Sequence, residues 1–314
     1  MSIYLCGSLD SSEIAAWLAA LRDAMPAEQI DASLAGVDPA AVDVALVANP
    51  PPGSLKPLGG LKLIQSLWAG VDRLMADTSL PPEVPLARMV DGSMCAAMAE
   101  TALWAVLSLH RGFFDYAALQ RERRWQVLPQ RRADEVSVAV LGLGELGHAV
   151  AQRLVGQGYR VHGWRRGGRP GAGPAGVAVH EGDEALAACL ADGDIVVNLL
   201  PLTPDTRRLF DAATLARMKP GASLVNLARG AQVVEDDLLA ALDAGHVARA
   251  VLDVFVQEPL PADHRFWHHP RVTVLPHAAA LTDPRSAARV VAANVSALRE
   301  GRPLAHLVDR MRGY

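Results

Sequence analysis

The stretch Val138-Ala139-Val140-Leu141-Gly142-Leu143-Gly144-Glu145-Leu146-Gly147 constrains the fold more than any other part of the chain. Four apolar residues run straight into G-x-G-x-x-G, and a helical pattern follows over residues 146–157. A strand, a glycine turn and a helix in that order open a parallel α/β unit, because parallel neighbours are joined by a crossover and the turn must be tight. The second half keeps the alternation. Apolar runs at 136–141, 160–164, 195–200, 222–226, 248–254 and 272–275 predict strands, and the periodicity at 235–244 predicts a helix between two of them. Repeated strand–helix alternation is a doubly wound parallel sheet.

The first half carries a shorter version of the pattern. Residues 3–6, 42–47 and 61–67 predict strands, the second ended by Pro50, Pro51 and Pro52. Residues 11–22 predict a helix opened by serines, with Ile14, Trp17, Leu18 and Leu21 on one face. Met94, Met98, Ala102, Ala105 and Leu109 recur at helical spacing over 94–111, so that helix is buried in a core or against another subunit. The charged segment 121–132, with Trp125 and Pro129, reads as an exposed connector, and 167–176 as a Gly/Pro-rich loop. A last helix over 284–300 crosses back to the first half. The fold class expected is α/β: two Rossmann-like doubly wound parallel-sheet domains with the active site in the cleft between them. Residues 1–98 plus 285–314 make the substrate domain, and 99–284 the dinucleotide-binding domain.

Composition narrows the partners. The net charge is −4, with 51% hydrophobic and 20% charged residues, which argues against nucleic acid or an anionic membrane surface. A small anionic substrate then needs a local cationic site. Cys6, Cys95 and Cys189 are scattered and odd in number, which suits reduced thiols in the cytoplasm. The first ten residues lack the basic and apolar segments of a signal peptide, and no apolar run is expected to cross a bilayer.

The glycine motif has a mechanical reading. Gly142 permits the tight turn, Gly144 lets the backbone approach a pyrophosphate, and Gly147 lets the helix sit close to the strand. The helix N-terminus then faces the anion. An NAD site usually carries a carboxylate about 20 residues further on. Here the chain reads Trp164-Arg165-Arg166, and two arginines attract a 2′-phosphate. NADPH is the expected cofactor, with NADH as the weaker alternative.

Three polar residues follow predicted strands: Arg229 in Asn226-Leu227-Ala228-Arg229-Gly230, Glu258 after Asp253-Val254-Phe255, and His277 after Leu275-Pro276. The carboxyl ends of strands in such a sheet face the ligand crevice. Reduction of a 2-oxo acid needs a fixed cation for the carboxylate, a proton donor for the carbonyl oxygen and a group that favours the charged donor. Arg, His and Glu supply these in turn.

Those strings, with Leu200-Pro201-Leu202-Thr203-Pro204, Thr206, Val233-Val234-Glu235-Asp236-Asp237 and Val308-Asp309-Arg310, resemble the D-isomer-specific 2-hydroxyacid dehydrogenases, and within them the glyoxylate/hydroxypyruvate reductase A subfamily. The likeness is dense from Val136 onward and thinner before Arg88. It implies that Arg229 binds the substrate carboxylate and polarises the carbonyl, that His277 is the general acid, and that Glu258 orients His277 and holds it protonated. It also implies that Asp253 lies near the nicotinamide, that Leu146 contacts the pyrophosphate, and that Pro201 and Thr206 line the adenosine side. Backbone N–H groups of Ala69 and Gly70 would hold the carboxylate, and a homodimer is implied.

Trp68 departs from the pattern, since the family carries a small residue there and the subfamily a Trp where Ala48 stands. Trp68 either fills that space beside the substrate or packs under the loop. His264, His268 and His269 are bracketed by Pro261 and Pro270, and no metal is assigned to them. A bulkier 2-oxo acid is one alternative substrate. A rival class is a non-catalytic sensor of nicotinamide cofactors on the same scaffold. A methyltransferase using the glycine loop would leave Arg229, Glu258 and His277 unexplained.

Overall fold

Two sets of buried aliphatic runs build two parallel sheets. A computed structural model describes residues 2–167 and 173–314; within the 167–176 loop, 168–172 lie outside the described residues. The chain divides into two compact units, Met1–Met94 with Thr282–Tyr314, and Cys95–Leu281.

The first unit holds strands β1 (Ser2–Gly7), β2 (Ile30–Asp31), β3 (Val42–Ala48), β4 (Leu63–Ser66) and β5 (Leu86–Ala87) in the order β2-β1-β3-β4-β5, with all pairs parallel. Every residue of β3 is buried, as expected of a parallel strand covered on both faces. Helix α1 (Ser11–Ala24) is capped by Asp10 rather than by a serine: its Oδ1 accepts from the N–H groups of Ser12 and Glu13, both at 2.8 Å, and Glu13 caps Asp10 in return. A short helix, α2 (Asp72–Met75), follows β4.

Helix α3 (Gly92–His110) carries the chain from the first unit to the second. By length and mean hydropathy, 1.3 over its best window, it would pass for a membrane span, which corrects the expectation that no run is long enough. Its inner face, Met98, Ala99, Ala102, Ala105 and Val106, is core of the second unit, and Thr101 donates to the Ala279 carbonyl at 2.8 Å.

After α4 (Phe113–Arg121) the second unit alternates strands β6 (Ser137–Leu141), β7 (Arg160–Arg165), β8 (Val177–Glu181), β9 (Ile195–Asn198), β10 (Ala222–Asn226), β11 (Val247–Leu252) and β12 (Val272–Val274) with helices α5 (Glu145–Gly156), α6 (Glu184–Asp192), α7 (Ala212–Arg217) and α8 (Glu235–Asp243). The sheet order is β12-β11-β10-β9-β6-β7-β8, all parallel. Strand order reverses between β6 and β9, the point where doubly wound sheets open a ligand crevice.

Helix α9 (Pro284–Arg299) returns to the first unit and is wired into its sheet. Asn294 donates to Gln65 at 2.7 Å, and Arg299 pairs with Glu28 and Asp43. Gln65 and Asp43 are both buried, so α9 supplies the partners that make their burial tolerable.

Candidate active site

One row of paired residues crosses the second unit's sheet: Val274, Leu252, Asn226, Asn198, Leu141, Trp164 and His180. Nearly every site residue expected in this unit lies just past that row, on the carboxyl edge. Gly142 follows Leu141, Arg165 follows Trp164, Arg229 lies three residues after Asn226, Asp253 follows Leu252, and His277 lies three after Val274.

The glycine turn sorts into internal and external requirements. Gly142 has φ 94°, and a Cβ there would meet the Leu199 carbonyl oxygen at 2.9 Å; a Cβ on Gly147 would lie 1.7 Å from the Gly142 oxygen. Both are dictated by the chain itself. Gly144 is not: its φ is −75°, and a Cβ there meets nothing within 4 Å. It is exposed, it is the N-cap of α5, and it offers no side-chain cap. Leu146, in the next turn, is half-buried. This bare helix N-terminus is a cradle suited to a diphosphate.

The adjoining loop is tied by its own hydrogen bonds. Thr206 is buried; its hydroxyl donates to the Pro201 carbonyl at 2.6 Å and accepts from the Thr203 N–H at 2.8 Å. Its side chain therefore shapes the loop that carries Pro201. Arg165 bonds Glu181 at 2.5 Å, and Arg166 bonds Asp183 and Asp205 at 2.9 and 2.8 Å. The carboxylates missing from the local sequence are thus supplied by β8 and two loops.

Arg229 is set by a buried network that sequence reasoning missed. Asn198 donates to Asn226 at 2.9 Å and to Gln232 at 2.7 Å, and all three are fully buried. Asn226 donates to the Arg229 carbonyl at 3.0 Å, and the Arg229 N–H donates to Gln232 at 3.2 Å. Gln232 also donates to the carbonyls of Leu200 and Pro201, both at 3.1 Å, so one amide joins the Arg229 loop to the Pro201 loop. A Cβ on Gly230 would lie 1.9 Å from the Phe255 carbonyl carbon, which brings the Arg229 loop directly against the loop that leads to Glu258.

His277 Nδ1 lies 2.8 Å from Glu258 Oε2, and the other carboxylate oxygen accepts from the Phe255 N–H at 2.9 Å. The imidazole is half-exposed and the carboxylate largely covered, at 49% and 22%. His277 adopts φ 54°, unusual for a residue with a side chain. Asp253 holds it there: its carbonyl accepts from the His277 N–H at 2.8 Å, and its carboxylate accepts from Ala278 and Ala279 at 2.8 and 3.0 Å. Asp253 is 1% exposed, so it positions the histidine from below.

The sequence matches the model of the D-isomer specific 2-hydroxyacid dehydrogenase NAD binding domain over residues 103–279. The chain belongs to the D-isomer-specific 2-hydroxyacid dehydrogenase family. This dehydrogenase is 43% identical over 303 residues to a glyoxylate/hydroxypyruvate reductase A of Serratia proteamaculans, covering 95% of this chain and 96% of that one. It is similar, with a TM-score of 0.94 and 41% identity over 100% of this chain and 99% of the other, to a D-isomer specific 2-hydroxyacid dehydrogenase from Xanthobacter autotrophicus Py2 solved in complex with NADPH and MES. It is also similar, at 0.92 and 34% identity over 100% of both chains, to an NADPH-dependent glyoxylate/hydroxypyruvate reductase from Sinorhizobium meliloti solved with NADP and sulfate.

In the dehydrogenase's first unit, Trp68, Ala69 and Gly70 follow β4 and are half-buried. The Trp68 indole meets buried Trp17 edge to face, with centroids 6.4 Å apart, and the Ser66 hydroxyl ties both ends of its peptide, at 3.1 and 3.0 Å. Two of the three histidines near residue 264 do local work: His264 pairs with Glu235 and caps Phe266, and His269 pairs with Asp243.

Proposed function

We propose that this dehydrogenase reduces a small 2-oxo acid of the glyoxylate or hydroxypyruvate kind with NADPH, using His277, Glu258 and Arg229. The observation that carries the reading is the His277–Glu258 pair at 2.8 Å, on the same sheet edge as the glycine turn. Gly142, Gly144, Leu146 and Gly147 would hold the diphosphate, and Pro201 would lie along the adenosine. Bound NADPH supplies a hydride to the carbonyl carbon. His277 Nε2–H donates a proton to the carbonyl oxygen, so the 2-oxo acid gains one hydride and one proton and leaves as the 2-hydroxy acid. Glu258 accepts from Nδ1–H, which fixes the ring's orientation and faces the imidazolium charge with a carboxylate. The neutral ring regains its proton from water, which its exposure allows. Arg229 grips the carboxylate with its planar guanidinium.

Two features support NADPH over NADH. The Xanthobacter and Sinorhizobium relatives were solved with the phosphorylated cofactor. Arg165 and Arg166 pair with carboxylates that are themselves 52%, 75% and 69% exposed. The exposed Arg166 pairs contribute about 0–1 kcal/mol, so a 2′-phosphate displaces them at small cost.

Exposed apolar residues on and after α3 support a homodimer: Trp104 at 41%, Phe113 at 53%, Trp125 at 101% and Val127 at 80%. The mass by light scattering checks this. Three cysteines that form no disulfide among the described residues support the cytoplasm.

The deciding experiment follows NADPH oxidation near neutral pH with glyoxylate, hydroxypyruvate, pyruvate and phenylpyruvate, in wild type and His277→Ala. Turnover of one small acid, reduced about 10³-fold in the variant, is expected. Tight NADPH binding without turnover of any acid would replace the reductase by a cofactor sensor, and a preference for phenylpyruvate would move the substrate to a bulkier acid.

A further inference from the structure

Outside the catalytic edge, one group of metal-ligating side chains converges among the described residues. His162 on β7 and His180 on β8 lie on one face of the sheet, because Trp164 pairs with His180 and Ala178 with His162. Helix α6 packs across both strands on that face and ends at Asp192. A ligand atom from each of the three lies within 4.8 Å of the others. None of them has a part in the proposed reduction.

The His162 Nδ1 to His180 Nε2 distance is 3.4 Å, and the rings are tilted by 42°. That is long for an N–H···N bond, which favours about 3.0 Å. Two nitrogens each about 2.05 Å from one tetrahedral ion stand about 3.3–3.4 Å apart, so the spacing is the edge of a zinc tetrahedron. Asp192 is exposed at the end of α6, with a carboxylate oxygen within 4.8 Å of both nitrogens. Arg160, two residues before His162 on β7, opposes a cation there, and the Asp192 charge favours one.

We propose that His162, His180 and Asp192 bind a single divalent transition ion of the zinc type, which clasps edge strand β8 and its neighbour β7 to the end of α6. Two imidazoles and a carboxylate select borderline ions such as Zn²⁺ over Mg²⁺ or Ca²⁺. Three protein ligands leave a fourth position to water.

The test is titration of chelator-treated full-length protein with Zn²⁺ at about pH 7.5, where imidazoles are neutral. Wild type, His162→Gln/His180→Gln and Asp192→Asn are compared. Wild type is expected to bind one more Zn²⁺ than the double variant, to gain thermal stability that the double variant does not gain, and to weaken at least tenfold in Asp192→Asn. Co²⁺ in place of Zn²⁺ should give the intense visible absorption of a tetrahedral site in wild type alone. Unchanged NADPH turnover in the double variant verifies its fold. Equal Zn²⁺ stoichiometry in wild type and double variant overturns the site, whatever the other histidines bind, and an unweakened Asp192→Asn overturns the three-ligand assignment.

Discussion

His277 is held at φ 54° by three hydrogen bonds to one aspartate, and that backbone geometry aims its ring at Glu258. Backbone of this kind costs about 1–3 kcal/mol and persists only where its surroundings enforce it. Glu258→Gln keeps the shape of the pair and removes the charge that compensates an imidazolium. We expect kcat to fall about 10²-fold with KM little changed, because the group acts when the proton moves. A lower Tm with kcat intact would sink the assignment. At the far side of the sheet, Arg165→Ala/Arg166→Ala should lower kcat/KM for NADPH about 10–100-fold, the worth of a charge-assisted hydrogen bond, and leave NADH nearly untouched. An equal fall for both cofactors removes the arginines from recognition. The place of Arg229, Glu258, His277 and both arginines on the carboxyl edge of the sheet was legible in the sequence because each lies at or a few residues past the end of a readable strand. The carboxylates of Glu181, Asp183 and Asp205 were not, since β7–β8 pairing brings Glu181, and two loops bring Asp183 and Asp205, onto those arginines from 16 to 39 positions away.

At the level of elements, the β6–turn–α5 corner separates folding from binding. Gly144→Ala places a methyl in open space at an ordinary φ, so the fold should survive and NADPH affinity should fall. Gly147→Ala drives a methyl into the Gly142 carbonyl and should cost about 3 kcal/mol or more. Thermal melts with and without NADPH read both: equal affinity in wild type and Gly144→Ala would mean no ligand approaches that turn. The long buried strands were legible because both their faces are apolar. β2 and β5 are two residues each and carry no period. β8 is a half-exposed edge strand beyond a Gly/Pro-rich stretch, and missing it hid how close His162 and His180 come on one face of the sheet. The buried amides of Asn198, at the end of β9, and Gln232, in the helical turn after β10, showed no signal either, since a polar residue in such a place reads as a turn until its partners are known.

Across the whole molecule, Asp194 links the start of β9 to β6 and to the segment before β10. It accepts from Ser137 N–H at 2.9 Å, Lys219 at 2.6 Å and Arg131 at 3.1 Å. Burial alone would raise its carboxyl, but these hydrogen bonds outweigh it and hold the group well below the usual carboxylate range. A carboxyl depressed in the folded state stabilises above its unfolded value, about pH 3.9, and that contribution is lost as pH falls toward the folded value. Asp194→Asn should therefore cost about 1–3 kcal/mol near pH 7 in denaturant melts. The gap from wild type should close below about pH 4. A gap independent of pH would mean that shape, not charge, is what matters there.

The first unit is written in two instalments, Met1–Met94 and Thr282–Tyr314, with the second unit between them. A ribosome delivers residues in order, so Cys95–Leu281 is complete while the earlier sheet still waits for α9. Until Asn294 and Arg299 emerge, Gln65 and Asp43 lack the partners they meet in the finished sheet. The unit begun before Cys95–Leu281 is closed only after it, so its sheet waits without α9 for as long as the second unit takes to be made.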